Sequence, residues 1–92
     1  QTLDHGPSRQ AITAERACLQ HLGGGCNVPI GIYGQVRDRV LVLQGIVSDP
    51  EGNHIVRSGV SGDVNMGEGL GRLLARHLLA LGADKLLAGE TG

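Results

Sequence analysis

The 92 residues carry eight Lys and Arg against nine Asp and Glu, a formal net charge of -1, and hydrophobic residues make up 40% with no Trp or Phe. A chain of this size buries somewhat over ~60% of its unfolded surface, enough for one domain, 1–92, whose core has to be built from Leu, Val, Ile and Ala. The charge balance excludes the clustered basic footprint of a nucleic-acid or anionic-membrane binder. No apolar run approaches the ~20 residues of a membrane span, and the opening QTLDHGPSRQ lacks the apolar core of a signal peptide, so a soluble, cytoplasmic chain is expected. Cys18 and Cys26, with no secretion signal, read as thiols and not as a short-loop disulfide. The start at Gln1, without a Met and rich in turn formers, suits an excised piece of a longer protein or a processed product.

From Thr13 to Leu22, Ala14, Ala17, Cys18 and Leu22 form one apolar stripe, which predicts a helix with Thr13 as its N-cap and Glu15 at the positive end of the dipole. Gly23, Gly24 and Gly25 stop it and lead through Cys26 and Asn27 into Val28 and Pro29, so Cys26 is placed in a loop. Cys18, on the stripe, is placed in the core. Three β-rich runs follow, Val28 to Val36, Val40 to Ser48 and His54 to Ser61, with turns at Arg37 to Arg39 and Asp49 to Gly52. They predict an antiparallel meander. The middle run is apolar on both faces, with Leu41, Leu43 and Val47 against Val40, Val42 and Ile46, so the sequence does not assign its inner face.

After a polar link from Gly62 to Asn65, the segment from Met66 to Leu81 carries Leu70, Leu73, Leu74, His77, Leu78 and Leu81 at helical spacing. Gly82 is its natural stop. Gly67, Gly69 and Gly71 weaken the first turns, which predicts a late start, and Asp84 to Ala88 suits a further short helix. The expected fold is α+β, a three-stranded antiparallel sheet with helices packed on one face.

Other signals are weak. Cys18, His21 and Cys26 lack a fourth ligand and the spacing of paired knuckles, so no metal is expected. The glycines at 67, 69 and 71 match neither G-x-G-x-x-G nor a Walker pattern. His77 reads as a core or boundary histidine, and His5 and His54 as facing solvent. The alternative to an enzyme is a non-catalytic α+β binding module, with Gly31 to Gly34 as the G-x-x-G loop of a KH domain. Against it, that G-x-x-G falls inside a predicted strand, and one Tyr offers little stacking surface.

Two segments together resemble porphobilinogen deaminase (hydroxymethylbilane synthase), specifically its C-terminal, third domain: ITAERACLQHLGGGCNVPIGIYGQV, from Ile12 to Val36, and GEGLGRLLARHLLALGADKLLA, from Gly67 to Ala88. The first is the more specific, with Thr13, Ala14, Glu15 and Arg16, then Gly24, Gly25, Cys26, Val28, Pro29, Ile30 and Gly31. The Asp-Pro-Glu-Gly turn and the run Ile55, Val56, Arg57 extend it over nearly the whole chain. Departures are mild: Gly23 stands where the family often has a carboxylate, and Asn27 where it often has Gln. The resemblance implies a transferase of porphyrin and heme biosynthesis that condenses four porphobilinogen molecules, losing ammonia each time, into hydroxymethylbilane. It implies that Cys26, in the loop of Gly24 and Gly25, carries the covalent dipyrromethane cofactor through a thioether.

The catalytic aspartate and most carboxylate-binding arginines would lie in domains 1 and 2, so the separate chain is expected to be inactive and to lack the cofactor. The partners implied are those two domains and porphobilinogen. Arg16 and Arg57 are candidates to face a neighbouring domain or the cofactor's carboxylates, with solvated surface as their default. A thiolate suits the anchoring role because it is a soft nucleophile that captures an electrophilic pyrrolylmethyl carbon. Glycines before it leave room for a bulky ring system, and Pro29 stiffens the exit into the strand.

Overall fold

The structure, a computed structural model, describes residues 9–23 and 29–87. In chain order it holds α1 (Arg9–His21), β1 (Ile30–Arg37), β2 (Val40–Ser48), β3 (Ile55–Asp63), a 3-10 turn (Val64–Met66), α2 (Gly67–Leu78), a π-helical turn (Leu79–Ala83) and α3 (Asp84–Leu87). The strands form one antiparallel sheet in the order β1-β2-β3, with the helices against one face, the α+β arrangement expected.

Helix α1 begins at Arg9, so Thr13 lies inside the helix and is not its cap. The reason is Ala11, which is buried and carries the stripe of Ala14, Cys18 and Leu22 one turn further back. The β1–β2 connection is a two-residue hairpin in which Asp38 (φ 52°) and Arg39 (φ 67°) both take left-handed conformations. That geometry matches the right-handed twist of the flanking strands. The Val64 N–H donates to the Arg39 carbonyl at 2.9 Å and ties this turn to the far end of β3.

Gly62 and Asp63, expected in a link, belong to β3, where they pair with Leu41 and Val40. The Gly31 to Gly34 stretch lies in β1, paired with β2 throughout.

Packing answers what the sequence left open on β2. Leu41, Leu43 and Val47 are fully buried under the helices, whereas Val40, Val42 and Ile46 lie on the opposite, open face. Around the buried trio stand Leu70, Leu74 and Leu78 of α2 and Ala14 and Cys18 of α1, with Ile32, Val36, Val56 and Val60 at the margin.

Helices α1 and α2 run side by side in the same direction at very short range. A Cβ at Gly71 would sit 2.2 Å from the Ala14 carbonyl oxygen, and one at Gly67 would sit 2.8 Å from that of Gln10. Only glycine allows two backbones so close. The glycines that predicted a late start therefore mark the contact face, and α2 starts at Gly67 itself.

The buried face of α2 is Gly67, Leu70, Gly71, Leu74, Ala75 and Leu78. Leu73 and His77, expected on the apolar stripe, lie beside it and are exposed, as is Leu81. Gly82 adopts φ 121° and kinks the chain between α2 and the short α3, so the expected stop is where the helix breaks.

Candidate functional site

The candidate anchor Cys26 and its loop partners Gly24 and Gly25 lie outside the described residues, and the two flanks of that loop define the site. On one side α1 closes at His21, the Leu22 N–H donates to Cys18 and the Gly23 N–H to Gln20, both at 3.0 Å. Gly23 takes φ 85°, the left-handed C-terminal stop for which glycine is suited, and His21 in the last turn complements the negative helix end. On the other side Pro29 starts the sheet, its carbonyl accepting from the Ser48 N–H at 3.0 Å.

Ser48 leads directly into a turn built around a buried carboxylate. Asp49 is 3% exposed, and its Oδ1 accepts the Asn53 N–H at 2.7 Å and the His54 N–H at 3.3 Å. Its own backbone N–H donates to the His54 carbonyl, and its carbonyl accepts from the Gly52 N–H, both at 3.0 Å. The carboxylate thus replaces the backbone partners that the turn removes. The sequence reading used this segment only as a turn. An Asp immediately before Pro, with Gly two residues beyond that Pro, was the signal for the buried carboxylate.

The α2–α3 kink lies at this same end of the sheet, since a Cβ at Gly82 would be 3.9 Å from Val56 Cγ2, and Val56 shares a row with Val47 and Ile30. The two flanks of 24–28 are therefore a helix end and the first sheet row, with the Asp49 turn next to the latter.

The two cysteines differ sharply. Cys18 is a free thiol and fully buried, and burial pushes its pKa up to about 11. A thiol that resists ionisation in an apolar surround is neither a nucleophile nor an anchor. Among the described residues, no group of three or more His, Cys, Asp or Glu could hold a metal, and no helix is long and apolar enough to cross a membrane. Arg16, Arg57, His54 and His77 are exposed.

The family model for "Porphobilinogen deaminase, C-terminal domain" matches residues 9–80, from the first residue of α1 into the π-helical turn. The chain belongs to this family. Among curated relatives, the porphobilinogen deaminase of Desulforudis audaxviator is 46% identical over 87 residues, covering 95% of this chain and 28% of that protein. Those of Pelotomaculum thermopropionicum and Synechococcus elongatus are 46% and 44% identical over 85 residues, covering 92% of this chain and 27% of each relative. The chain thus spans little more than a quarter of the length of the deaminases it matches. The matched range 9–80 includes Cys26 and both flanks described above.

Proposed function

We propose that this chain is the cofactor-anchoring domain of a hydroxymethylbilane synthase. That enzyme is a cytoplasmic transferase condensing four porphobilinogen molecules, with loss of ammonia, into hydroxymethylbilane. Cys26 is the anchor, through a thioether to dipyrromethane, and Gly24 and Gly25 clear space beside the sulfur. The observation that carries this reading is the contrast between the thiols: Cys18 is sealed in the core with its pKa raised, which leaves Cys26, in the glycine loop inside the matched stretch, to do the chemistry.

The flanks fit such a group. A left-handed glycine, Gly23, stands on one side of 24–28 and a hydrogen-bonded proline, Pro29, on the other. The bound dipyrromethane would supply the primer on which pyrroles are assembled. The chain's own residues would hold the sulfur at a fixed place: Asp49 orders its turn, Ser48 fixes Pro29, and Pro29 roots the loop. Domains 1 and 2 would supply the catalytic carboxylate and the arginines, so the 92-residue chain alone should neither turn over porphobilinogen nor carry the group.

The test is the mass of the Cys26 peptide from a natively purified full-length deaminase containing this chain, beside its Cys26→Ser variant. A dipyrromethane-sized increment, lost together with activity in the variant, supports the reading. A bare Cys26 in an active enzyme overturns it.

A further inference from the structure

The sheet face turned away from the helices is uncovered, and on it Tyr33, Val40, Val42, Ile46 and Ile55 stand exposed among Gln35, Arg37, Gln44, Arg57, Ser61 and Asp63. Register places Gly31, Ile46 and Arg57 in one row across the three strands and Tyr33, Gln44 and Gly59 in the next. These six residues line a shallow, open dish with a cavity volume of about 680 Å³. The two glycines occupy diagonal corners and leave bare backbone as its floor, while Tyr33, 61% exposed, and Ile46 stand as walls. Val40, Val42 and Ile55 extend the apolar surface along the same face. Arg57 is the one charge among the described residues lining the dish.

An uncovered sheet face that exposes several large apolar side chains suits an interface, and its size says which kind. Three strands ~4.8 Å apart and nine residues long at ~3.3 Å per residue offer roughly 400 Å². Stable complexes of free chains bury about 800 Å² per partner, so a second copy gains too little here to stay bound. A partner on the same polypeptide does not face that limit, because tethering makes docking intramolecular at an effective concentration in the ~mM range. The relatives have the length to provide one, since this chain matches only 28% of the D. audaxviator deaminase.

We propose that the open face of the β1–β2–β3 sheet seats another domain of the full-length deaminase. That domain sets an apolar side chain into the dish between Tyr33 and Ile46, over Gly31 and Gly59, and a carboxylate against Arg57. Bidentate pairing of a guanidinium with a carboxylate fixes orientation as well as adding affinity. Since Gly31 lies two residues beyond Pro29, docking here also fixes the root of the 24–28 loop relative to the rest of the enzyme. The proposal rests on reading this chain as one domain of a longer deaminase, and not on the role of Cys26.

The test is covalent footprinting of the 92-residue chain alone and of a full-length D. audaxviator deaminase whose matching stretch is replaced by this chain. Labelling of Tyr33 and Ile46 is expected to fall about fivefold or more in the full-length protein, as for residues at an interface core. Arg57→Glu should restore that labelling while leaving the melting of the chain alone unchanged. Equal labelling in both proteins overturns the proposal. So does strong protection in the chain alone accompanied by a dimer in sedimentation, which would make a second copy the occupant. Should the hybrid show no cooperative melt, the same comparison between the native D. audaxviator deaminase and its matching 87-residue stretch decides by the same criterion. The mass of the Cys26 peptide in the hybrid separates the two readings. A bare Cys26 with a protected face removes the anchoring role alone, and a loaded Cys26 with an unprotected face removes the docking surface alone.

Discussion

The two faces of the sheet are built from alternate residues of the same strands and have opposite fates. On β2, Leu43 is fully buried while its neighbour Val42 is 37% exposed. Both are strong strand formers and both are apolar, so composition does not separate them. The difference is made two elements away, by glycines in α2 that let it lie against α1 and form with it a lid over one face only. Burial in this chain is decided by what can come close, and hydrophobicity follows.

The contrast breaks most completely at Gly71. Gly71→Leu would drive a side chain into the Ala14 carbonyl, which lies 2.2 Å from where a Cβ would stand. The helical lid should separate, with loss of the cooperative thermal transition. Next is the paired substitution on β2. Leu43→Ala should cost ~2–5 kcal/mol in denaturant unfolding, as for a buried leucine left as a cavity, and Val42→Ala no more than ~1 kcal/mol. Equal losses would mean that the open face is already covered in the isolated chain.

Asp49→Ala should cost ~1–3 kcal/mol, because two backbone N–H groups lose their buried acceptor. Faster amide hydrogen exchange should concentrate at Asn53 and His54.

The pH dependence sharpens the same contrast between inside and outside. The Cys18 thiol rises from 9.0 to about 11 in the fold. The native state therefore holds its proton more tightly than the unfolded chain, so this contribution is complete below pH 9.0 and is lost as pH climbs towards about 11. Melting temperatures should fall across that window, and Cys18→Ala should flatten the fall. The smallest effect is expected at the hairpin. Arg39→Gly, at φ 67°, should stabilise by about 1 kcal/mol, read as a higher denaturation midpoint.

How much of this was legible in the sequence follows from what kind of residue carried the information. Strand periodicity and two turn signatures placed the meander, because side chains alternate visibly along Ile30 to Val36 and the Asp-Pro-Glu-Gly turn announces itself. The α2 face was misread because its contact residues are glycines and an alanine, which have no side chain to register in an apolar stripe. Leu73 and His77 were counted in their place. Ala11 was left out although Ala14 and Ala17 were counted, and with it the first turn of α1 was missed. The glycine-rich stretch around Cys26 lies outside the described residues, and its likeness to a deaminase motif gave it a meaning that spacing alone does not.

Helices α1 and α2 are parallel, and the whole meander is threaded between them, so residue 10 meets residue 67 and residue 14 meets residue 71. Contacts so distant along the chain form late, and a free helix of 13 residues is marginal in water. As the polypeptide leaves the ribosome, α1 therefore waits for its partner until three strands and half of α2 have been made. Through that interval Cys18 is not yet buried. Cys18 is sealed in the core only when Gly71 closes on Ala14.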